Sequence, residues 1–190
     1  MDDKDTHFNE ADIRPIDLMK QKEPLLERDK DFLRARIDKF IAKPCPACLS
    51  DNFNYYSSKD GFRFVICSNC ETIYMNPRPS NEITAEFYTH SENYKFWNRF
   101  IFPSTVNTRR EKIFRPRLNK ILDITSKYKI HQKNLLEVGA GYGIFCKLAI
   151  QSNKFDSVTA IEPSSDLAKS CIEKNINTIP LPIEDYNTDR

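Results

Sequence analysis

Residues 134–150 read NLLEVGAGYGIFCKLAI. Three of the chain's four glycines, Gly139, Gly141 and Gly143, alternate through the middle of this stretch. On one side Asn134 to Val138, NLLEV, reads as a short buried strand; on the other, IFCKLAI continues as an apolar helix. The loop between them must turn sharply, and a ligand lying against its bare backbone would collide with any Cβ. Glycine meets both demands.

Further on, SVTAIEPSS (157–165) reads as a second strand that ends at Glu162. A carboxylate at a strand end accepts hydrogen bonds from both hydroxyls of a ribose, the arrangement that dinucleotide-binding folds use. Ser164 is placed to cap a helix over SDLAKSCIEKN, and NTIPLPI (177–183) follows as a third strand weakened by two prolines. The fold class is therefore α/β, with the N-terminal part of a Rossmann-like sheet over 131–190. A dinucleotide site is disfavoured, because that fingerprint wants glycine or alanine where this chain has Ile144.

Upstream, Cys45-Pro-Ala-Cys48 and Cys67-Ser-Asn-Cys70 form two CxxC pairs, leaving Cys146 and Cys171 as singletons. Each pair folds as a knuckle presenting two thiolates to one side, and two knuckles complete a tetrahedral all-sulfur site that suits Zn2+. Four thiolates leave no position for water, so the expected role is structural. Two disulfides or four unliganded thiols are the other readings. Between the pairs, FNYY and FRFVI are strand-type runs around Asp60-Gly61, a hairpin-turn signal. Residues 44–79 thus read as a zinc-binding ribbon.

Ahead of the ribbon, residues 1–43 form a charged helical segment in which Leu25, Leu26, Leu33, Ile37, Phe40 and Ile41 approximate a stripe from Pro24 onward. Behind it, NPRP (76–79) ends the strands, and Ser80 is a candidate N-cap for a helix through Ile83 and Phe87. Residues 80–130 read as a helical, aromatic-rich linker or lid. Within it, FYTHSENYKFWNRFIF (87–102) packs between domains, or else Tyr88, Tyr94 and Trp97 cover a ligand. His90 and Tyr88 are the catalytic candidates, His90 as a general base, against the plainer reading of a structural or solvent-exposed histidine. A longer helix spans about 104–127, with Ile113, Phe114, Leu118, Ile121 and Leu122 at helical spacing and a kink at Pro116. On it, Arg109 and Arg110 meet a substrate phosphate or face solvent.

The composition narrows the function. A net charge of +2 spread through mixed-sign runs such as ERDKDFLRARIDKF argues against a nucleic-acid partner. No apolar run is long enough to cross a bilayer, and MDDKDTHFNE lacks the apolar core of a secretory signal, so the expectation is a cytoplasmic protein with no membrane partner.

LLEVGAGYG, with an acidic residue two before its first glycine, resembles the first motif of class I S-adenosyl-L-methionine (SAM)-dependent methyltransferases, and Glu162 in AIEPS matches their second. From Cys45 onward, CPAC, CSNC, NPRP, FY, SENY, FWN, RREKIFRPR, LLEVGAGYG and AIEPS resemble, in that order, a group of bacterial methyltransferases with an N-terminal zinc-binding domain, associated with sugar and surface-polysaccharide pathways. The resemblance implies that Gly139, Ala140, Gly141 and Gly143 line the methionine and ribose portions of SAM. By the same resemblance Glu137 supports the loop, Glu162 holds the ribose, and Pro163 and Ile183 flank the adenine. Many class I enzymes carry an acidic residue near the place of Pro182, for which Glu184 is a loose substitute. The activity implied is methyl transfer to an oxygen, nitrogen or carbon of a small, sugar-derived substrate such as a nucleotide sugar. The resembling fold continues beyond a third strand, so the expectation is a first half that a complementing chain completes, a fragment, or a degenerate enzyme. Its first strand, bearing Leu135, Leu136 and Val138, then bares a sheet edge. The rival reading is a non-catalytic zinc-ribbon scaffold that binds a partner.

Overall fold

The computed structural model describes residues 9–131 and 133–187. They divide into two compact units, Glu23–Glu92 and a second made of residues up to Lys22 together with those from Asn93 onward. The architecture is mixed α/β, with an antiparallel three-stranded sheet in the first unit and a parallel one in the second.

Helix α1 (Ile16–Arg34) contains Pro24 rather than starting there. Proline withholds one N–H but keeps a helical φ, and the flanking residues carry the helix through it. In the Glu23–Glu92 unit, strands β1 (Phe53–Lys59), β2 (Phe62–Cys67) and β3 (Ile73–Met75) form a ribbon with β2 in the middle. Asp60 and Gly61 both take positive φ, 56° and 86°, the backbone that matches a two-residue turn to strand twist. Arg34 Nε donates to the Asp60 carbonyl at 2.9 Å, and Lys30 Nζ meets the Asp60 carboxylate at 2.9 Å. The small core gathers Cys45, Phe62, Val65, Cys67 and Ile83, with Phe40 stacked on Phe62 at 6.1 Å. Ser80 caps α2 (Asn81–His90) through the Ile83 N–H, as its sequence position predicts.

From Asn93 onward, in the other unit, the rest of α3 (Glu92–Phe96), α4 (Phe102–Arg109) and α5 (Arg115–Lys127) follow one another through π-type turns at Trp97–Ile101 and Arg110–Phe114. The irregular turn before Pro116 contains Lys112, whose carbonyl would pair with the N–H that Pro116 lacks. Pro116 occupies the first turn of α5, where its missing N–H is least costly.

Strands β4 (Asn134–Val138), β5 (Ser157–Ile161) and β6 (Asn177–Ile179) are parallel, with β5 central. Helix α6 (Ile144–Gln151) joins β4 to β5, and α7 (Ser165–Glu173) joins β5 to β6. Val138 pairs with Ile161 and Ile161 with Ile179, so the C-terminal ends of all three strands lie in one row. Phe145, Cys146, Leu148 and Ala149 of α6 pack with Val158, Ala160, Cys171, Ile176 and Leu118 to form the core. Two expectations are corrected. β4 lies at the sheet edge among the described residues but is not a buried strand: its side chains alternate between the two faces, and the face that carries Leu136 and Val138 is left 44% and 54% exposed. β6 stops at Ile179, since Pro180 cannot extend a ladder, and Ile183 falls in a separate 3-10 turn, Ile183–Asp185. No described helix is long and apolar enough to cross a membrane.

Candidate metal centre and glycine-loop site

The two CxxC segments fold alike. In each, the first cysteine's carbonyl accepts from the residue four on, Leu49 or Glu71, and its N–H donates to the carbonyl five on, Ser50 or Thr72. Leu49 and Glu71 both take left-handed φ, 61° and 58°, which is what closes each knuckle. Cys45 Sγ lies 3.5 Å from Cys70 Sγ, Cys48 Sγ lies 3.5 Å from Cys67 Sγ, and all four sulfurs fall within 4.8 Å of one another. Metal–thiolate bonds of about 2.3 Å set tetrahedral sulfur–sulfur edges of about 3.8 Å, so the group is positioned to hold one metal ion. With no metal bound, the thiols share protons unevenly: the Thr72 hydroxyl and N–H draw Cys70 down to about 6, while hydrogen bonds with Cys70, Cys67 and Cys45, together with burial, push Cys48 up to about 12. Cys45 and Cys67 are buried and Cys48 and Cys70 exposed, so one face of the cluster meets the core.

The glycine loop sits at the C-terminal end of β4. Gly139 N–H and Ala140 N–H donate to the Ile161 carbonyl at 2.8 and 3.2 Å, tying the loop to the end of β5. Gly141 N–H donates to Glu162 Oε2 at 2.7 Å, and Ser164 N–H donates to Glu162 Oε1 at 2.9 Å. Glu162 is buried and bridges the loop to the first turn of α7. Ser164 stands at the N-cap position of α7 as predicted, but its side chain makes no capping bond, and Glu162 takes its N–H instead.

Gly139, Gly141 and Gly143 all have positive φ, 73°, 57° and 74°. A Cβ on Gly139 or Gly141 would meet nothing within 4 Å, whereas one on Gly143 would lie 2.6 Å from Ile176 Cδ1 and 2.8 Å from Cys171 Sγ. The first two border open space available to a ligand, and the third is closed by the core. We expect Gly143→Ala to lose about 2–4 kcal/mol, from left-handed strain plus overpacking, read as a lowered denaturant midpoint. Gly139→Ala should cost only the strain.

Glu137 supports the loop from its helical end. Its carboxylate accepts from Cys146 Sγ at 2.9 Å and from the Cys146 N–H, serving the first turn of α6 that Gly143, lacking a side chain, leaves uncapped. Burial raises the Glu137 pKa and pushes the Cys146 thiol up as well, and burial holds Cys171 at about 11, so neither thiol is poised as a nucleophile. Pro163 follows Glu162 directly, and Ile183 is 40% exposed in its turn.

No protein-family model and no curated protein matches the chain.

The remaining candidates separate by unit. His90 is exposed at the end of α2, its Nδ1 bonded to the Glu86 carbonyl at 2.9 Å, and Tyr88 is half-buried with its ring edge-on to Phe87. Both lie in the Glu23–Glu92 unit, while the glycine loop lies in the other. The aromatic run is divided in the same way. Trp97 packs on Phe102 at 5.4 Å, and Phe102 stacks on Tyr142 of the glycine loop at 5.5 Å and 18°. That contact between the helical segment and the loop was not readable from sequence. Arg109 is not on a solvated face: it is half-buried against Trp97 and Phe102, with Nε bonded to Thr105 Oγ1 and Nη2 to the Ile13 carbonyl.

Proposed function

We propose that the chain is a SAM-dependent methyltransferase, or the cofactor-binding part of one, acting on a small sugar-derived substrate in the cytoplasm, with Zn2+ as a structural ion in the Cys45, Cys48, Cys67 and Cys70 site. The observation that carries the reading is the bond between Gly141 N–H and the Glu162 carboxylate. It brings the glycine loop after β4 and the acidic residue after β5 to one place, at the row of strand ends where open α/β sheets bind ligands. The residues fit a nucleoside-bearing cofactor on two counts: Gly139 and Gly141 border open space that a Cβ would enter, and Glu162 lies beside them at the strand end. On this reading the sheet belongs to the Rossmann-like methyltransferase class. Gly139, Ala140 and Gly141 form the floor, Glu162 accepts from the ribose hydroxyls, Pro163 and Ile183 flank the base, and Glu137 fixes the start of α6. SAM, when bound, supplies an electrophilic methyl group. The protein's part is to hold the acceptor in line with that methyl and to exclude water.

A second reading is favoured by one observation. Both Glu162 oxygens already serve backbone N–H groups, which is what a self-sufficient scaffold loop needs. A carboxylate has about four acceptor positions, so ribose binding requires Glu162 to share its oxygens rather than surrender them. Calorimetric titration of S-adenosylhomocysteine into the zinc-loaded chain separates the two. The methyltransferase reading expects saturable one-to-one binding, and a folded, metal-loaded protein that takes up none supports the scaffold.

A further inference from the structure

Tyr142 is the one side chain of the glycine loop long enough to reach beyond it, and it is held on two sides. Phe102 stacks against its ring, and Lys174 Nζ sits 3.4 Å from its centroid. Beside it opens a cavity of about 80 Å3 whose lining includes Arg110, Lys147 and Lys174 and no acidic residue. Apolar walls come from Val106, Ile144 and Leu148.

The three cations are poorly neutralised. Lys147 Nζ donates to the Lys174 carbonyl at 3.0 Å, and Lys174 Nζ to the Ser170 carbonyl at 2.9 Å. Both acceptors are neutral, and neither lysine has an ion-pair partner among the described residues. Glu173, on the same helix as Ser170, acts on Lys174 only through space. Arg110 pairs with Glu111 at 2.8 Å, but Glu111 also takes two bonds from Arg115, so one carboxylate serves two guanidinium groups. Arg109, next in the chain, is likewise held by neutral oxygens alone. Burial lowers the pKa of Lys174, and the neighbouring Cys171 and Glu173 offset that desolvation only in part.

Capping of the last turn of α7 accounts for one proton of each ammonium. Each ammonium carries three donors, and those not directed at carbonyls or at the Tyr142 face remain for a ligand. Desolvated positive charge converging on a cavity is stabilised by an anion, and three cations from α6, the end of α7 and the turn ahead of α5 are a set that a tetrahedral oxyanion satisfies.

We propose that this cavity is a phosphate site, in which Arg110, Lys147 and Lys174 hold the phosphoryl group of a ligand whose remaining atoms rest on Val106 and Leu148. The assignment stands apart from methyl transfer, because of the glycine-loop residues it uses only Tyr142 and Gly143. The phosphoryl group comes from inorganic phosphate or from a phosphomonoester.

The test is a nuclear magnetic resonance titration of the zinc-loaded full chain with inorganic phosphate, and separately with glycerol 3-phosphate, against sodium chloride at equal ionic strength. Saturable shifts at the Tyr142, Gly143, Lys147 and Lys174 amides are expected, with Arg110→Gln and Lys147→Gln each weakening binding about tenfold or more, as loss of a charge-assisted hydrogen bond implies. Tighter binding of the ester identifies a phosphorylated organic ligand, and equal binding identifies phosphate itself. Non-saturable shifts shared with chloride overturn the site, and so does saturable binding that neither variant weakens. Arg110→Gln keeps the test decisive if Lys147→Gln disturbs α7, because the Arg110 side chain caps no helix.

Discussion

Cys67→Ser is expected to take the protein from one bound metal ion per chain to none and to abolish the native spectrum of the Glu23–Glu92 ribbon. The reason is the size of the core it leaves. Phe62, Val65 and Ile83 are the large apolar side chains buried there among the described residues, and the other buried apolar positions are Cys45 and Cys67 themselves. A core of that size does not offset the entropy of ordering a three-stranded ribbon, whereas a structural zinc ion contributes apparent binding energy of about 10–16 kcal/mol. Cys67 is fully enclosed and central, and its carbonyl and N–H also close the second knuckle. Metal analysis and amide spectra check the expectation, and a chelator on the unmutated chain should reproduce the change. Cys146→Ser, in the other unit, should leave the metal in place. Retention of both metal and β1–β2 cross-strand contacts in Cys67→Ser would show that the thiols are not the ribbon's support.

What sequence made legible here was local. Asp60-Gly61 signalled its hairpin because glycine and aspartate tolerate positive φ, and the two CxxC spacings signalled the sulfur cluster because a knuckle is built from neighbours. The left-handed residues that close those knuckles, Leu49 and Glu71, were invisible for the opposite reason: neither side chain favours that backbone, and only the paired bonds from Cys45 and Cys67 enforce it. Gly139, Gly141 and Gly143 read alike as letters but divide in space, two bordering open volume and one packed under Ile176 and Cys171. Glu162 was legible as the acidic end of a strand, yet its partners were not, since Gly141 is brought to it only by the parallel pairing of β4 and β5. The stack of Phe102, Tyr142 and Lys174 is wholly tertiary, formed by residues far apart in the chain. The helix through Pro24 shows the converse, a strong local signal overruled by the residues on either side.

Glu162→Ala is expected to weaken S-adenosylhomocysteine binding by at least about 100-fold, the effect of losing two hydrogen bonds to a charged acceptor at about 1.5–3 kcal/mol each. It should also cost about 2–4 kcal/mol of stability, because the Ser164 N–H, in a buried residue, and the Gly141 N–H both lose their acceptor. The two effects must be separated, and Glu137→Gln does so. Glu137 touches α6 through Cys146 and not the open face of the loop, and burial already favours its uncharged form, so a neutral amide with one acceptor oxygen is tolerated. A Glu137→Gln protein that binds the nucleoside normally, beside a folded Glu162→Ala protein that does not, locates recognition at the end of β5 rather than in the general integrity of the loop. If instead the unmutated, metal-loaded chain binds nothing and Glu162→Ala changes only the melting temperature, the carboxylate is a strut between the loop and α7. The chemistry of the glycine loop would then be confined to holding its own fold.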